Sequence, residues 1–338
     1  MKTSDFNFEL PAKLIAQNPL TPRDHARLMV LHRDTQTIEH RHIYDLPKIL
    51  GENDVLVFNE TQVFPARLYG KIKDKDVEIL LHKEITPNRW ECLVKPGKRF
   101  KIGSAIIFNK DLRATVITIN EDGSRILEFS ESGKRLEEKI DELGETPLPP
   151  YIQHSTSNPK QYQTIFAKHR GSVAAPTAGL HFTSQLLETL KEKGVKEHFV
   201  TLHVGRGTFE PVKVEDISKH KMHHEWLELN KNTANKLNQA KTEGKRIISV
   251  GTTTTRTLEA CAQNNILTPQ TKETDLFITP GYEFQFIDAM LTNFHLPQST
   301  LLMLISALAG KDFIMKAYQE AITKKYRFYS FGDAMLIL

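Results

Sequence analysis

The residues able to do chemistry gather in five stretches. In VGTTTTRTLE, from Val250, an apolar run stops at Gly251 and gives way to hydroxyl side chains and an arginine. A helix starting there would present unpaired N–H groups and the positive end of its dipole. Glycine lets a ligand reach the backbone, Thr252 and Thr253 add hydroxyls, and Arg256 suits two-point contact with a carboxylate or phosphate. The plainer alternative is a helix cap with an Arg256–Glu259 surface pair. In FVTLHVGRGTFEPV, from Phe199, a strand pattern ends in His203 and runs into Gly205-Arg206-Gly207. Gly205 and Gly207 suit a tight loop beneath a nucleoside, or an ordinary turn. The third glycine and the acidic partner of a dinucleotide site are missing.

GSVAAPTAGLHF, from Gly171, crowds small residues around Thr177 and ends near His181. Small side chains leave backbone amides within a ligand's reach, and equally let two elements pack closely. LTNFHLPQST, from Leu291, sets Asn293 and His295 in a polar interruption ahead of a helix cap at Ser299. HKMHHE, from His220, brings three histidines next to Glu225. Its spacing fits neither a two-histidine helical zinc motif nor a Cys/His finger, so no metal is assigned. Basic residues mixed with aromatics recur in RWECLVKPGKRFKIG, from Arg89, and KKYRFYSFGD, from Lys324. Such runs could track phosphates and stack bases, though most charged runs are solvated faces.

The elements that must position these groups follow from periodicity. Ala26–His32 and Thr37–His42 read as strands, and DVLVF at Asp54–Phe58 as a fully buried one. From about Arg67 to Ile140, five or six short β-rich runs alternate with turn signals, which predicts a small closed barrel. An amphipathic helix follows over Ser132–Leu143, stopped by Gly144. PLPPYI, from Pro147, reads as an extended connector. Beyond it helices and strands alternate: a helix capped by Thr183, a strand over Phe199–Val204, a helix over Asn232–Gly244, a strand over Arg246–Val250, helices over Ser299–Ala309 and Asp312–Lys325, and a last strand over Ala334–Leu338. The expected fold is a mixed α/β main domain built from both chain ends, residues 1–65 and 147–338, with a small β-barrel inserted at 66–146.

Composition narrows the class. Lys+Arg 45 against Asp+Glu 41 gives a net charge of +4, which permits a polyanionic partner without demanding one. Two cysteines among 338 residues exclude a disulfide framework. The most apolar run, LLMLISALAG from Leu301, is about half of what a spanning helix needs. No membrane association and a cytoplasmic location are expected.

Eight blocks in order resemble one family: DFNFELP, FNETQVFPARL, PLPPYI, GSVAAPTAGLHF, FVTLHVGRGTFEPV, ISVGTTTTRTLE, LTNFHLPQSTLLML and YRFYSFGDAM. Together they are similar to the S-adenosylmethionine:tRNA ribosyltransferase-isomerases of the queuosine pathway. Departures are small: Arg206, His224, Thr254-Thr255 and Phe64 replace more usual residues. The resemblance implies transfer and isomerisation of the ribosyl part of S-adenosylmethionine onto 7-aminomethyl-7-deazaguanine at the wobble position of a tRNA with a GUN anticodon. Epoxyqueuosine-tRNA, adenine and methionine would be the products. No cofactor is implied, because S-adenosylmethionine is consumed as a substrate. His181, His203 and His295 become the acid/base candidates. Thr252, Thr253, Arg256, Gly205, Gly207, Thr177 and Asn293 become the candidates for substrate binding. A methyltransferase using the same sulfonium and a non-catalytic tRNA-binding protein are the alternatives.

Overall fold

The computed structural model describes residues 1–149, 151–152, 159–205 and 212–338. Two compact units divide the chain. One comprises Met1–Gln62, Pro149–Arg170 and Ala175–Leu338, the other Val63–Leu148 and Gly171–Ala174.

The first unit is built on a nine-stranded sheet. In spatial order its strands are Gln270–Thr274, Glu225–Leu229, Lys196–Leu202, Asp54–Asn59, Arg246–Val250, Ala289–Asn293, Ala334–Ile337, Arg27–His32 and Thr37–His42. The four from Lys196–Leu202 to Ala289–Asn293 are parallel to one another. Strands covered on both faces need continuous apolar sequence, and every residue of Asp54–Asn59 is buried. Leu56, Phe58, Ile248, Val250, Leu291 and Leu336 form the core with Phe182, Leu186 and Leu190. Helix Ser184–Glu192 supplies the last two, and its first turn is capped by the Thr183 hydroxyl, which accepts the Leu186 N–H at 3.2 Å. Parallel register brings Leu202, Asn59, Val250 and Asn293, the last residues of four neighbouring strands, to one edge of the sheet. Crevices outside such carboxyl ends are where α/β sheets bind ligands.

Ala289–Asn293 corrects the sequence reading. Asn293 closes a fully buried central strand, so LTNFHLPQST is a strand end followed by a turn rather than a polar gap between apolar runs.

The second unit is a closed six-stranded barrel, in the order Arg125–Phe129, Arg89–Lys95, Lys75–Thr86, Arg67–Ile72, Ala105–Ile107 and Arg113–Ile119. Leu68, Ile79, Leu81, Cys92, Ile106 and Leu127 fill it, and Leu136 and Ile140 of helix Gly133–Leu143 join the same cluster. Trp90 and Phe100 are buried there too, so the aromatics of the Arg89 stretch pack the barrel and stack no bases.

Candidate functional site

Strand Asp54–Asn59 delivers the first group. Asn59 is buried and satisfied on both sides of its amide. Its Nδ2 donates to the Leu202 carbonyl at 2.9 Å and to Thr253 Oγ1 at 3.2 Å, while its Oδ1 accepts the N–H groups of Leu202 and Thr61, each at 3.1 Å. One side chain thus joins two strand ends to the start of helix Thr252–Cys261. Thr61 then meets His203, with 2.8 Å from Oγ1 to Nδ1, and its hydroxyl donates to the His169 carbonyl at 3.4 Å. A hydroxyl that donates onward must accept from the imidazole, so His203 carries its proton on Nδ1 and leaves Nε2 bare. The ring stacks on Trp226 at 4.8 Å. Burial, then the neighbouring His169, lowers its pKa to about 4. The imidazole is therefore neutral at pH 7.

Asn293 organises a second group. Its Nδ2 donates to the Tyr329 carbonyl at 3.2 Å, which fixes the amide orientation, and the same nitrogen lies 3.1 Å from His181 Nε2. Thr177 donates to Asn293 Oδ1 at 3.1 Å. His181 Nε2 must then accept, and the proton sits on Nδ1. Burial, then Arg23 and Arg327, pushes the pKa of His181 down to about 3. His295 lies two residues beyond the strand, its Nε2 3.1 Å from the Thr292 hydroxyl, and burial lowers its pKa to about 3 as well.

The third group surrounds helix Thr252–Cys261. Gly251, at φ +92°, turns the chain from strand to helix. The four threonines divide. Thr254 and Thr255 turn their hydroxyls back onto the carbonyls of Val250 and Gly251 and onto Ser249. Thr253 accepts from Asn59, and Thr252 has no side-chain partner among the described residues. Arg256 is buried and paired through Nη1 with Glu225, and its Nε donates to the Leu276 carbonyl at 3.1 Å. Its Nη2 is buried with no hydrogen-bond partner among the described residues. The surface pair with Glu259 does not form, because Glu259 accepts the N–H groups of Gln285, Phe286 and Ile287 at 2.7–3.0 Å. Glu225 also accepts the Gly205 N–H at 3.0 Å, so that amide is already engaged.

The structure thus ties Asn293, His181 and Thr177 into one network. It places Thr252, Thr253 and Arg256 on one helix, and His203 two residues before Gly205. His295 sits apart from these, bonded to Thr292 of its own turn and to the Tyr318 hydroxyl. Gly207 lies outside the described residues. Asn59, Thr61 and Trp226 escaped the sequence reading, and Glu225 entered it only as the neighbour of three histidines. The signal for the first two was Asn-Glu-Thr directly after the buried DVLVF run. In KKYRFYSFGD, Tyr326, Phe328 and Phe331 are core residues, which corrects their reading as base-stacking groups. Among the described residues no group of three or more His, Cys, Asp or Glu is placed to hold a metal ion.

A sequence profile of the family described as queuosine biosynthesis protein matches residues 3–337. The chain is 53% identical over 339 residues to the S-adenosylmethionine:tRNA ribosyltransferase-isomerases of Thermotoga petrophila and Thermotoga maritima, with 100% of each chain covered. The corresponding protein of a Thermoanaerobacter species is 52% identical over 342 residues, again with 100% of both covered. Among solved structures, that of S-adenosylmethionine tRNA ribosyltransferase from Thermotoga maritima is similar, with 44% identity and a TM-score of 0.57 over 99% of this chain and 100% of that one. Agreement from end to end, in profile and relatives alike, means that the chain belongs to the queuosine biosynthesis protein family.

Proposed function

We propose that this chain transfers and isomerises the ribosyl moiety of S-adenosylmethionine onto 7-aminomethyl-7-deazaguanine at the wobble position of a GUN-anticodon tRNA, giving epoxyqueuosine-tRNA, adenine and methionine. It does so in the cytoplasm and without a cofactor. Full-length relatives of that name support the activity. The single observation that carries the site is the row of neutral, oriented side chains at the ends of four parallel strands, with unused donors beside them.

The sulfonium acidifies the ribose 5′ C–H, and a neutral imidazole with a bare nitrogen is the base this needs. His203 meets that description through Nε2, because Thr61 holds its other nitrogen. His181, with Nε2 held by Asn293, offers a neutral N–H at Nδ1 that suits hydrogen bonding to the departing adenine. Loss of adenine opens the sugar, the aminomethyl nitrogen attacks, and epoxide closure expels methionine. Arg256 Nη2 and the Thr252 hydroxyl are the donors available to the methionine carboxylate. No helix among the described residues is long and apolar enough to cross a membrane.

Ribose-labelled S-adenosylmethionine tests this. Label should enter tRNA carrying the deazaguanine precursor, with one adenine and one methionine released per turnover. His203→Gln should cut turnover by about 10²–10⁴-fold, the usual worth of a positioned base. Methyl label in the tRNA, with S-adenosylhomocysteine released, would instead establish a methyltransferase.

A further inference from the structure

Three arginines border the other half of the sheet edge that carries Asn293. Strand Ala334–Ile337 starts there beside Asn293, and Arg27–His32 starts next to it in parallel. Asp333 ties two of the arginines by their backbones: Oδ1 accepts the Arg27 N–H at 2.9 Å and Oδ2 the Arg327 N–H at 2.7 Å. The carboxylate is 1% exposed, and both its oxygens are engaged. Arg27 turns its guanidinium away, 3.6 Å over the Tyr326 ring and donating to the Lys324 carbonyl. Arg23 and Arg327 remain. Arg23 lies over Phe331 at 5.3 Å and donates through Nη2 to the Gln161 carbonyl. Arg327 donates through Nη2 to the Asn18 carbonyl, and its Nη1 is buried with no hydrogen-bond partner among the described residues.

Among the described residues neither guanidinium takes part in an ion pair. They also oppose each other: burial first, then Arg327, lowers the Arg23 pKa to about 10. Both guanidinium groups are half-buried; Asp333 offsets part of the charge of Arg327 although its oxygens bond backbone N–H groups, and a further anion would stabilise the pair. They stand close to His181, whose proton affinity both depress, and the Arg23–His25 turn is linked to the start of helix Ser184–Glu192 by Thr183 donating to Asp24 at 2.9 Å. The methionine carboxylate has its own donors at Arg256 and Thr252, on the opposite side of Asn293 in the sheet order. A polynucleotide entering the site would bring phosphates to the rim, where guanidinium forks match them well.

We propose that Arg23 and Arg327 together grip one backbone phosphodiester of the RNA substrate at the rim of the site. This rests on the reading that tRNA is the acceptor. The test measures binding of the precursor tRNA as a function of salt for wild type, Arg23→Gln, Arg327→Gln and the double variant, with S-adenosylmethionine affinity measured alongside. Plots of log affinity against log salt should flatten by about 0.7–0.9 for each phosphate that is no longer neutralised. Each single variant should weaken tRNA binding with little change of slope, and the double variant should show the full flattening, because both residues serve one phosphate. S-adenosylmethionine affinity should hold within about twofold. An unchanged slope in the folded double variant would overturn the proposal. So would weakened S-adenosylmethionine binding at unchanged slope, which would assign the pair to the carboxylate. If the double variant fails to fold, the single variants decide: tRNA affinity unchanged in both would overturn the proposal. Wild type that binds no tRNA at any salt would instead sink the acceptor reading itself.

Discussion

Asn293 shows how one amide sets the chemistry of a neighbour it does not titrate with. The Tyr329 carbonyl accepts only, so the amide must present nitrogen to it, and that choice makes His181 Nε2 an acceptor. Asn293→Asp keeps the shape and reverses this logic. An oxygen would face the Tyr329 carbonyl, and His181 would move its proton to Nε2 to meet the carboxylate. We expect turnover to fall by about 10²-fold or more with the fold retained, the penalty that accompanies a wrong histidine tautomer elsewhere. Nitrogen NMR of the imidazole should show the tautomer reversed. Full activity together with a reversed tautomer would remove the His181 N–H from the contacts to the leaving adenine. Arg256 offers the complementary lesson. Its type predicted an anion grip, yet its first partner is Glu225 of the same chain, and only Nη2 remains for a ligand.

At the scale of elements, the junction between strand Arg246–Val250 and helix Thr252–Cys261 depends on Gly251. Its φ of +92° with ψ of 153° is a region almost closed to other residues, whereas an added Cβ would find Ala178 at an ordinary 3.5 Å. Gly251→Ala should therefore fail through backbone strain rather than a clash, at about 1–3 kcal/mol, and should re-aim Thr252 and Thr253. A urea titration that shows wild-type stability would contradict this. That junction was legible in the sequence because an apolar run, a glycine and hydroxyl residues follow one another in order. The barrel was legible for a similar reason, since its alternating runs are punctuated by turn residues. Three strands of the large sheet were not: Gln270–Thr274, Glu225–Leu229 and Ala289–Asn293. Glu225–Leu229 alternates correctly, but its first inward residue is a glutamate made tolerable only by Arg256 and Gly205, partners distant in sequence. Ala289–Asn293 is five residues long and ends on buried Thr292 and Asn293, whose polar identity masks a fully covered strand. Asn59 was hidden by the same effect. Polar residues placed for a site interrupt the very apolar pattern by which strands are recognised.

For the molecule as a whole, neutral histidines in the interior link function to acid stability. Burial holds His181 and His295 near a pKa of about 3, against an ordinary 6.5. In the unfolded chain both bind protons as pH falls through 6.5, and in the folded protein neither does until far lower. The unfolded state therefore gains protons first, and stability, complete above 6.5, declines as pH drops toward the folded values. Each histidine contributes a slope of about 1.4 kcal/mol per pH unit inside that window. Asp333 acts in the opposite sense, because burial raises its pKa and the folded state takes up its proton more readily, but only in the carboxylate range. Between pH 6.5 and about 5 the histidines dominate, since carboxylates titrate lower. Urea midpoints measured across that interval should fall steeply for wild type. His295→Gln should flatten the fall by about one histidine's slope even where its absolute stability is lower, because the slope reports protons bound and the midpoint reports total stability. A variant slope equal to that of wild type would mean that His295 takes up its proton in the folded protein over the same pH range as in the unfolded chain, and the buried, neutral reading of that turn would have to be given up.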